Sequence, residues 1–406
     1  MLHIVGGTYF EYCAEPYWSQ LYGSGLRAAA AVSTLADEVM LTTYCSLSTE
    51  TTFQALANTF GFRANAIESS QTFSFAYLHG LSRPTVRPDI RSIAQMAPLN
   101  VQDETILRFG MLESEAVVTG RQVVYDPQAG SHAVPFQQNG SSAELLAIVA
   151  NEQEIRALAG GDSALAIRSA LFAGKGADVV LVKRGPQGVS VVTAHDTQVV
   201  PAYITNSVWP VGSGDVFSAV FAHYWAEGGI SAIEAARNAS KATAYYCDSQ
   251  SLPIPVSAVT TTSYSPAAVQ SSDDMMNDYR PSAYLAGPFF TMSQRWLINE
   301  AKTSLENLGL KVFSPLHEVG HGLARDVAPA DIKALKDCQV VLALVDGLDS
   351  GTLFEVGYAK ALGIPVVVFA QNEVASDLTM LEGTGCPIFD DFPSAIYNAV
   401  WEGWDT

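Results

Sequence analysis

The stretch DSGTLFEVGYA, residues 349–359, follows the apolar run VVLALV, residues 340–345, after a short loop that contains Gly347. An unbroken run of aliphatic and β-branched residues is the pattern of a strand buried on both faces of a parallel sheet. In an open parallel sheet, ligands bind beyond the carboxyl ends of the strands. The loop after this strand is therefore expected to deliver Glu355, at the start of the next helix, to such a place. Asp349 and Glu355 stand six residues apart with small residues between them. Such a pair suits a pocket in which one carboxylate holds a sugar hydroxyl and the other attacks carbon. A carboxylate nucleophile of this kind splits a difficult displacement into two steps through a covalent glycosyl intermediate. Taken alone, Glu355 is equally an acid favoured by the positive end of a helix.

The pattern around this stretch alternates. From residue 283 it reads as a strand, a helix over 293–308, a strand over 310–314, a helix over 330–337, the strand 340–345, a helix over 353–362 and a strand over 365–370. That order predicts a doubly wound parallel sheet. Four segments in sequence, YLAGPFF (284–290), VFSP (312–315), DIKAL (331–335) and DSGTLFEVGYA, resemble the nucleoside 2-deoxyribosyltransferase family. The resemblance implies a flavodoxin-like domain that needs no cofactor. It implies Glu355 as nucleophile on the anomeric carbon, Asp331 near the base, Asp349 near the 5′ end of the sugar and Tyr284 orienting Glu355. It also implies a homo-oligomer, since such relatives often complete their pockets with a neighbouring subunit. One departure is informative: relatives that hydrolyse 5′-monophosphates tend to carry Ser where this chain has Asp349. A carboxylate within ~4 Å of a phosphate is repelled by several kcal/mol at low effective dielectric, so Asp349 points to an unphosphorylated nucleoside. His317, Glu318 and His321 either line that pocket or bind a metal, or are ordinary loop residues; their spacing is not that of a zincin.

A second signature lies upstream. Residues 179–189, VVLVKRGPQGV, read as a β-hairpin with a Gly-rich turn, and PVGSGDVF (210–217) opens a helix whose first turn is Gly-rich and ends in Asp. Backbone N–H groups at such a helix start form an anion site, beside which an Asp can take the proton of an attacking hydroxyl. These segments resemble the ribokinase-like (PfkB-type) kinases. The resemblance implies a three-layer α/β domain with a small β lid, ATP and Mg2+ as cofactors, Asp215 as catalytic base, and Gly212, Ser213 and Gly214 as the anion hole. Asn151 and Glu154 match that family's N-x-x-E element. Lys183, Gly185, Gly188 and Asn238 are implied to lie near the nucleotide. The N-terminal part departs from the pattern: the family has Asn where Ala28 stands and Asp near Glu11, both of which bind sugar hydroxyls. Phosphoryl transfer is therefore either redirected to another acceptor or lost.

These readings divide the chain into a kinase-like domain over 1–254, a linker rich in Ser, Thr, Pro and Asp over 255–280, and a glycosyl-transfer domain over 281–406. Segments 71–79 and 85–93 have the β-rich character of a lid, and helices are expected over 163–173, 215–227 and 231–247. A length of 406 residues accommodates two cores. A net charge of −19 disfavours nonspecific binding to nucleic acid or anionic membrane, and no apolar run is long enough to span a bilayer. The five cysteines form no CxxC pair, which suits reduced thiols in a cytoplasm. The expected partner is a small nucleoside or sugar. The expected activity is cleavage of a nucleoside N-glycosidic bond, by transfer or hydrolysis, joined to a sugar or nucleoside kinase. The alternative is an effector in which a non-catalytic kinase-like domain senses a ligand and controls a nucleosidase.

Overall fold

The computed structural model describes every residue except 174–175, 262, 269–278, 321 and 406. Part of the segment expected as a linker, and His321, lie outside the described residues. The chain forms two compact units: Met1–Thr205 with Trp209–Ser265, and Asn206–Val208 with Pro266–Thr406.

The strands of the first unit are β1 (Leu2–Val5), β2 (Phe10–Glu15), β3 (Trp18–Leu21), β4 (Val39–Ser46), β5 (Arg63–Ser69), β6 (Ser74–His79), β7 (Thr85–Arg87), β8 (Leu99–Phe109), β9 (Ala116–Asp126), β10 (Ser142–Asn151), β11 (Val179–Lys183), β12 (Val189–Thr193) and β13 (Thr197–Val200). Nine of them form one sheet in the order β13-β12-β11-β10-β9-β8-β1-β4-β5. It is parallel from β5 to β11 and antiparallel through β12 and β13. Side chains alternate across a strand, and β10 shows the consequence. Ala147 and Val149 enter one core with helices Gly23–Val32, Ser213–Ala222 and Ala232–Ser249. Leu146, Ile148 and Ala150 enter another with helices Glu152–Ala159 and Ala164–Leu171. Helices on both faces make this the expected three-layer arrangement.

A separate four-stranded sheet, β3-β2-β6-β7, is the lid. Its strands β6 and β7 match the β-rich segments of the sequence, whereas β2 and β3 carry no such cue. The hairpin of β11 and β12 turns through Gly185–Gln187. The helix expected from residue 215 begins at Ser213 and gives way to a π-helical turn over His223–Glu227. Helix Gly23–Val32 is buried along its whole length. It packs so closely on the end of β1 that a Cβ at Gly25 would lie 2.7 Å from the Gly6 carbonyl.

The second unit holds β14 (Ser282–Ala286), β15 (Lys311–Phe313), β16 (Val340–Leu344), β17 (Val366–Phe369) and β18 (Ile388–Phe389), in the order β15-β14-β16-β17-β18 and all parallel. Numbered from its own first strand this is the 2-1-3-4-5 doubly wound order, with a switch point between the first and third strands, β14 and β16. Two helix starts differ from the sequence reading. Helix Ala324–Asp337 starts six residues before the expected 330 and contains Pro329. Helix Ser350–Ala361 starts three residues before the expected 353, because Asp349 caps it and Gly351 lies inside it. Glu355 accordingly sits in the second turn of its helix, not at the start. The closing helix Phe392–Trp404 lies beyond the region where alternation was read.

Candidate functional site

Four acidic or phenolic side chains converge at the switch point of the second unit. Tyr284, on the first strand β14, is fully buried and stacks on Phe313 with ring centroids 5.6 Å apart. Its Oη donates a hydrogen bond of 2.6 Å to Glu355 Oε1, on the helix that follows β16. Burial pushes the Glu355 carboxyl up to about 7; Asp331 and Asp349 add to the rise, and the Tyr284 hydrogen bond opposes it. Three carboxylates thus share one neighbourhood, and like charges in a partly desolvated site make the second and third ionisations harder. Burial also raises Asp331, whose Oδ1 is buried with no hydrogen-bond partner among the described residues. An orphaned carboxylate oxygen is costly, and a ligand that supplies a donor there relieves the cost. Asp349 Oδ2 accepts from the Thr352 N–H at 2.9 Å and from Thr352 Oγ1 at 3.1 Å, so this acid caps the helix carrying Glu355 while facing it electrostatically. His317, expected in a loop, lies in the short helix Pro315–Glu318, where its Nδ1 is tied to Ser314 Oγ at 3.0 Å and its Nε2 to Asn299 Oδ1 at 2.8 Å.

The first unit holds a cavity of about 430 Å3, bordered by Asn151, Glu154, Lys183, Gly212, Gly214 and Asp215 among others. Ser213, Gly185, Gly188 and Asn238 do not border it. Asn151 and Glu154 form a capping box: Asn151 Oδ1 accepts from the Glu154 N–H, and Glu154 Oε2 from the Asn151 N–H, each at 3.0 Å. Glu154 Oε1 also accepts from the Ala129 and Gly130 N–H groups, which pins the loop after β9. Lys183 Nζ donates to Asp126 Oδ2 at 2.7 Å, and burial pushes Asp126 up to about 6 against that pull.

Sequence reasoning missed the centre of this site, Arg27. Its side chain, on helix Gly23–Val32, is fully buried. One nitrogen, Nη1, donates to Glu11 Oε1 at 3.1 Å and to Asp215 Oδ2 at 2.8 Å, and Nη2 pairs with Glu11 Oε2. The guanidinium lies 5.0 Å from the centre of the Tyr22 ring. Burial opposes its charge, but Glu11 and Asp215 more than offset this and hold it protonated. Gln128 Nε2 donates to the other oxygen, Asp215 Oδ1, at 2.6 Å. The signal was present in the sequence: one Arg among GSGLRAAAAV, a run otherwise small and apolar, requires buried partners of opposite charge.

Residues 283–388 match the nucleoside 2-deoxyribosyltransferase family, and residues 120–256 match the pfkB family carbohydrate kinases. Both domains are present in this one chain. No curated protein matches it. Among solved structures, the Arabidopsis thaliana ribokinase complexed with ribose and ATP is 16% identical, covering 65% of this chain and 99% of that one, with a TM-score of 0.48. A putative Ribokinase II from E. coli in complex with ATP and Mg2+ is 15% identical, covering 60% and 91%, with a TM-score of 0.46. A pyrophosphate-dependent kinase of the ribokinase family, complexed with a pyrophosphate analog and myo-inositol, is 14% identical, covering 64% and 100%, with a TM-score of 0.42.

ATP with Mg2+ is the group that the pfkB match implies, and the residues at its reacting end do not fit it. A Cβ at Gly212, whose φ is +77°, would lie 2.1 Å from Arg27 Nε, so the guanidinium packs directly on this glycine and on the start of the helix carrying Asp215. Both oxygens of Asp215 already accept hydrogen bonds, one from the buried Arg27 and the other from Gln128, whose side chain is exposed.

Proposed function

We propose that the deoxyribosyltransferase-like unit cleaves the N-glycosidic bond of an unphosphorylated nucleoside, with Glu355 as nucleophile. The observation that carries this reading is the 2.6 Å hydrogen bond from Tyr284 to Glu355 Oε1, which orients the carboxylate. In the first step Glu355 Oε2 forms a bond to C1′ as the C1′–N bond to the base breaks. The electron pair of that bond leaves with the base, and Asp331 stabilises the leaving nitrogen by hydrogen bonding or by giving up a proton. The flat, cationic transition state is favoured by the cluster of carboxylates around it. In the second step water or another base attacks C1′ and releases Glu355. The preference for 2′-deoxy sugars follows the family match.

A nucleophilic carboxylate must be ionised, so cleavage rises with pH through an inflection near the value of about 7 that burial gives Glu355. Tyr284 opposes that rise. Tyr284→Phe is therefore expected to move the inflection to higher pH and to lower the rate at pH 7 by roughly 10- to 100-fold, the worth of a hydrogen bond to a charged group. A pH–rate profile of base release checks this, and an inflection that moves down contradicts it.

Asp349 supports an unphosphorylated substrate. Deoxynucleosides are expected to react at least about a hundredfold faster than their 5′-monophosphates. Asp349→Ser keeps a helix cap and is expected to narrow that gap. Equal rates on the two substrates in the native chain would reject the argument.

For the first unit two readings compete. In one, Asp215 serves a sugar or nucleoside kinase. In the other the unit binds a ligand without turnover and controls the glycosidic site. The ion cluster that ties Asp215 to Arg27 and Gln128 favours the second.

A further inference from the structure

In this chain one guanidinium bridges Glu11, on lid strand β2, and Asp215, at the start of helix Ser213–Ala222. The family resemblance gives a sugar hydroxyl as the partner of the Asp near Glu11, and makes Asp215 the base that takes the proton of the attacking hydroxyl. Arg27 thus stands where an acceptor would bind. It is fully buried, it lies over Tyr22, and the absence of a side chain at Gly212 is what makes room for it. A proton passed from a hydroxyl to Asp215 would cancel one of the two charges that hold this buried cation.

The cavity beside Arg27 remains open. Its volume of about 430 Å3 lies within the range of small-molecule pockets. One wall is aromatic: Tyr9, Phe75 and Tyr77 border it, and the last two come from lid strand β6. Such a wall suits the flat ring of a base. Four acids, Glu11, Asp126, Glu154 and Asp215, border it against two bases, Arg27 and Lys183. That balance disfavours a free anion. Two bordering residues keep buried oxygens without hydrogen-bond partners among the described residues, Ser24 Oγ and Asp126 Oδ1, and a ligand bearing hydroxyl groups can supply the missing donors.

We propose that the first unit is a receptor for an uncharged nucleoside and transfers no phosphate, because Arg27 fills the acceptor position. This rests on the second reading of that unit and names its ligand. Two measurements on the full-length chain test it. In the first, the native chain is incubated with ATP, Mg2+ and each of ribose, myo-inositol, adenosine and 2′-deoxyadenosine. ADP is expected to form no faster with an acceptor than without one. Acceptor-dependent ADP that disappears in Asp215→Asn would overturn the proposal.

In the second, the Glu355→Gln chain, which consumes no substrate, is titrated calorimetrically with the four common ribonucleosides. At least one is expected to give a binding event that Phe75→Ala weakens by at least about tenfold, the loss of one stacking face, and that Asp331→Asn leaves unchanged. No heat with any nucleoside, or heat lost with Asp331→Asn and kept with Phe75→Ala, overturns it. Release of free base by the native chain is a separate readout, so failure of the glycosidic reading is distinguished from failure of this one.

Discussion

Glu355→Gln is expected to lower the rate of nucleoside base release by at least about a thousandfold, as loss of a covalent nucleophile does. The amide keeps the shape and can still accept from Tyr284, so the loss reports chemistry and not packing. The same substitution carries a stability signature whose sign is fixed. Burial raises the folded-state value of Glu355 to about 7, against about 4.3 in an unfolded chain. Between those values the folded protein holds a proton that the unfolded chain has lost, so stability falls as pH rises through that window. The contribution is fully present below the unfolded value and gone above about 7. Glu355→Gln removes the penalty and should make the second unit more stable than native at pH 8, by an amount on the order of 2–3 kcal/mol, with little difference near pH 4. Urea unfolding at the two pH values measures this. A variant that is less stable than native at pH 8 would show that the carboxylate is held by a favourable ion pair instead of being strained for function.

The second large effect lies in the first unit. Arg27→Met should destabilise that unit by about 3–5 kcal/mol, the usual consequence of removing one partner from a buried ion cluster. Glu11 and Asp215 are left desolvated with no counter-ion, and the face of Gly212 loses the group packed against it. Adding Glu11→Gln and Asp215→Asn to the variant should restore much of the loss, because the penalty is that of unpaired charge more than of missing contact area. Thermal unfolding of the single and triple variants reads the difference. Equal loss in both would mean that packing on Tyr22 and Gly212 carries the stability.

The parts of this fold that were legible in the sequence are those where one local rule acts alone. Strand β16 is an unbroken aliphatic run and β11 is one up to Lys183, the Gly-rich turn after Lys183 marks a hairpin, and the alternation from residue 283 specifies a doubly wound sheet. Boundaries failed where two rules compete. Gly351 reads as loop, yet the Asp349 side chain satisfies the first N–H groups and starts the helix ahead of it. Pro329 reads as a stop, yet helix Ala324–Asp337 runs through it. The site divides in the same way. Tyr284 and Glu355, 71 residues apart, are linked by no local pattern and were joined only through a family resemblance. The bridge joins Arg27 to Glu11, 16 residues before it, and to Asp215, 188 residues after it, and no resemblance signalled it because it departs from the family. A charged residue inside a buried alanine helix was the one trace of it.

The most direct test of the account is a rapid acid quench of the native chain during turnover of a 2′-deoxynucleoside, followed by peptide mass spectrometry. The expected result is a deoxyribosyl adduct on the peptide that contains Glu355, absent from Glu355→Gln. Undiminished base release by Glu355→Gln, or an adduct confined to another side chain, would contradict it.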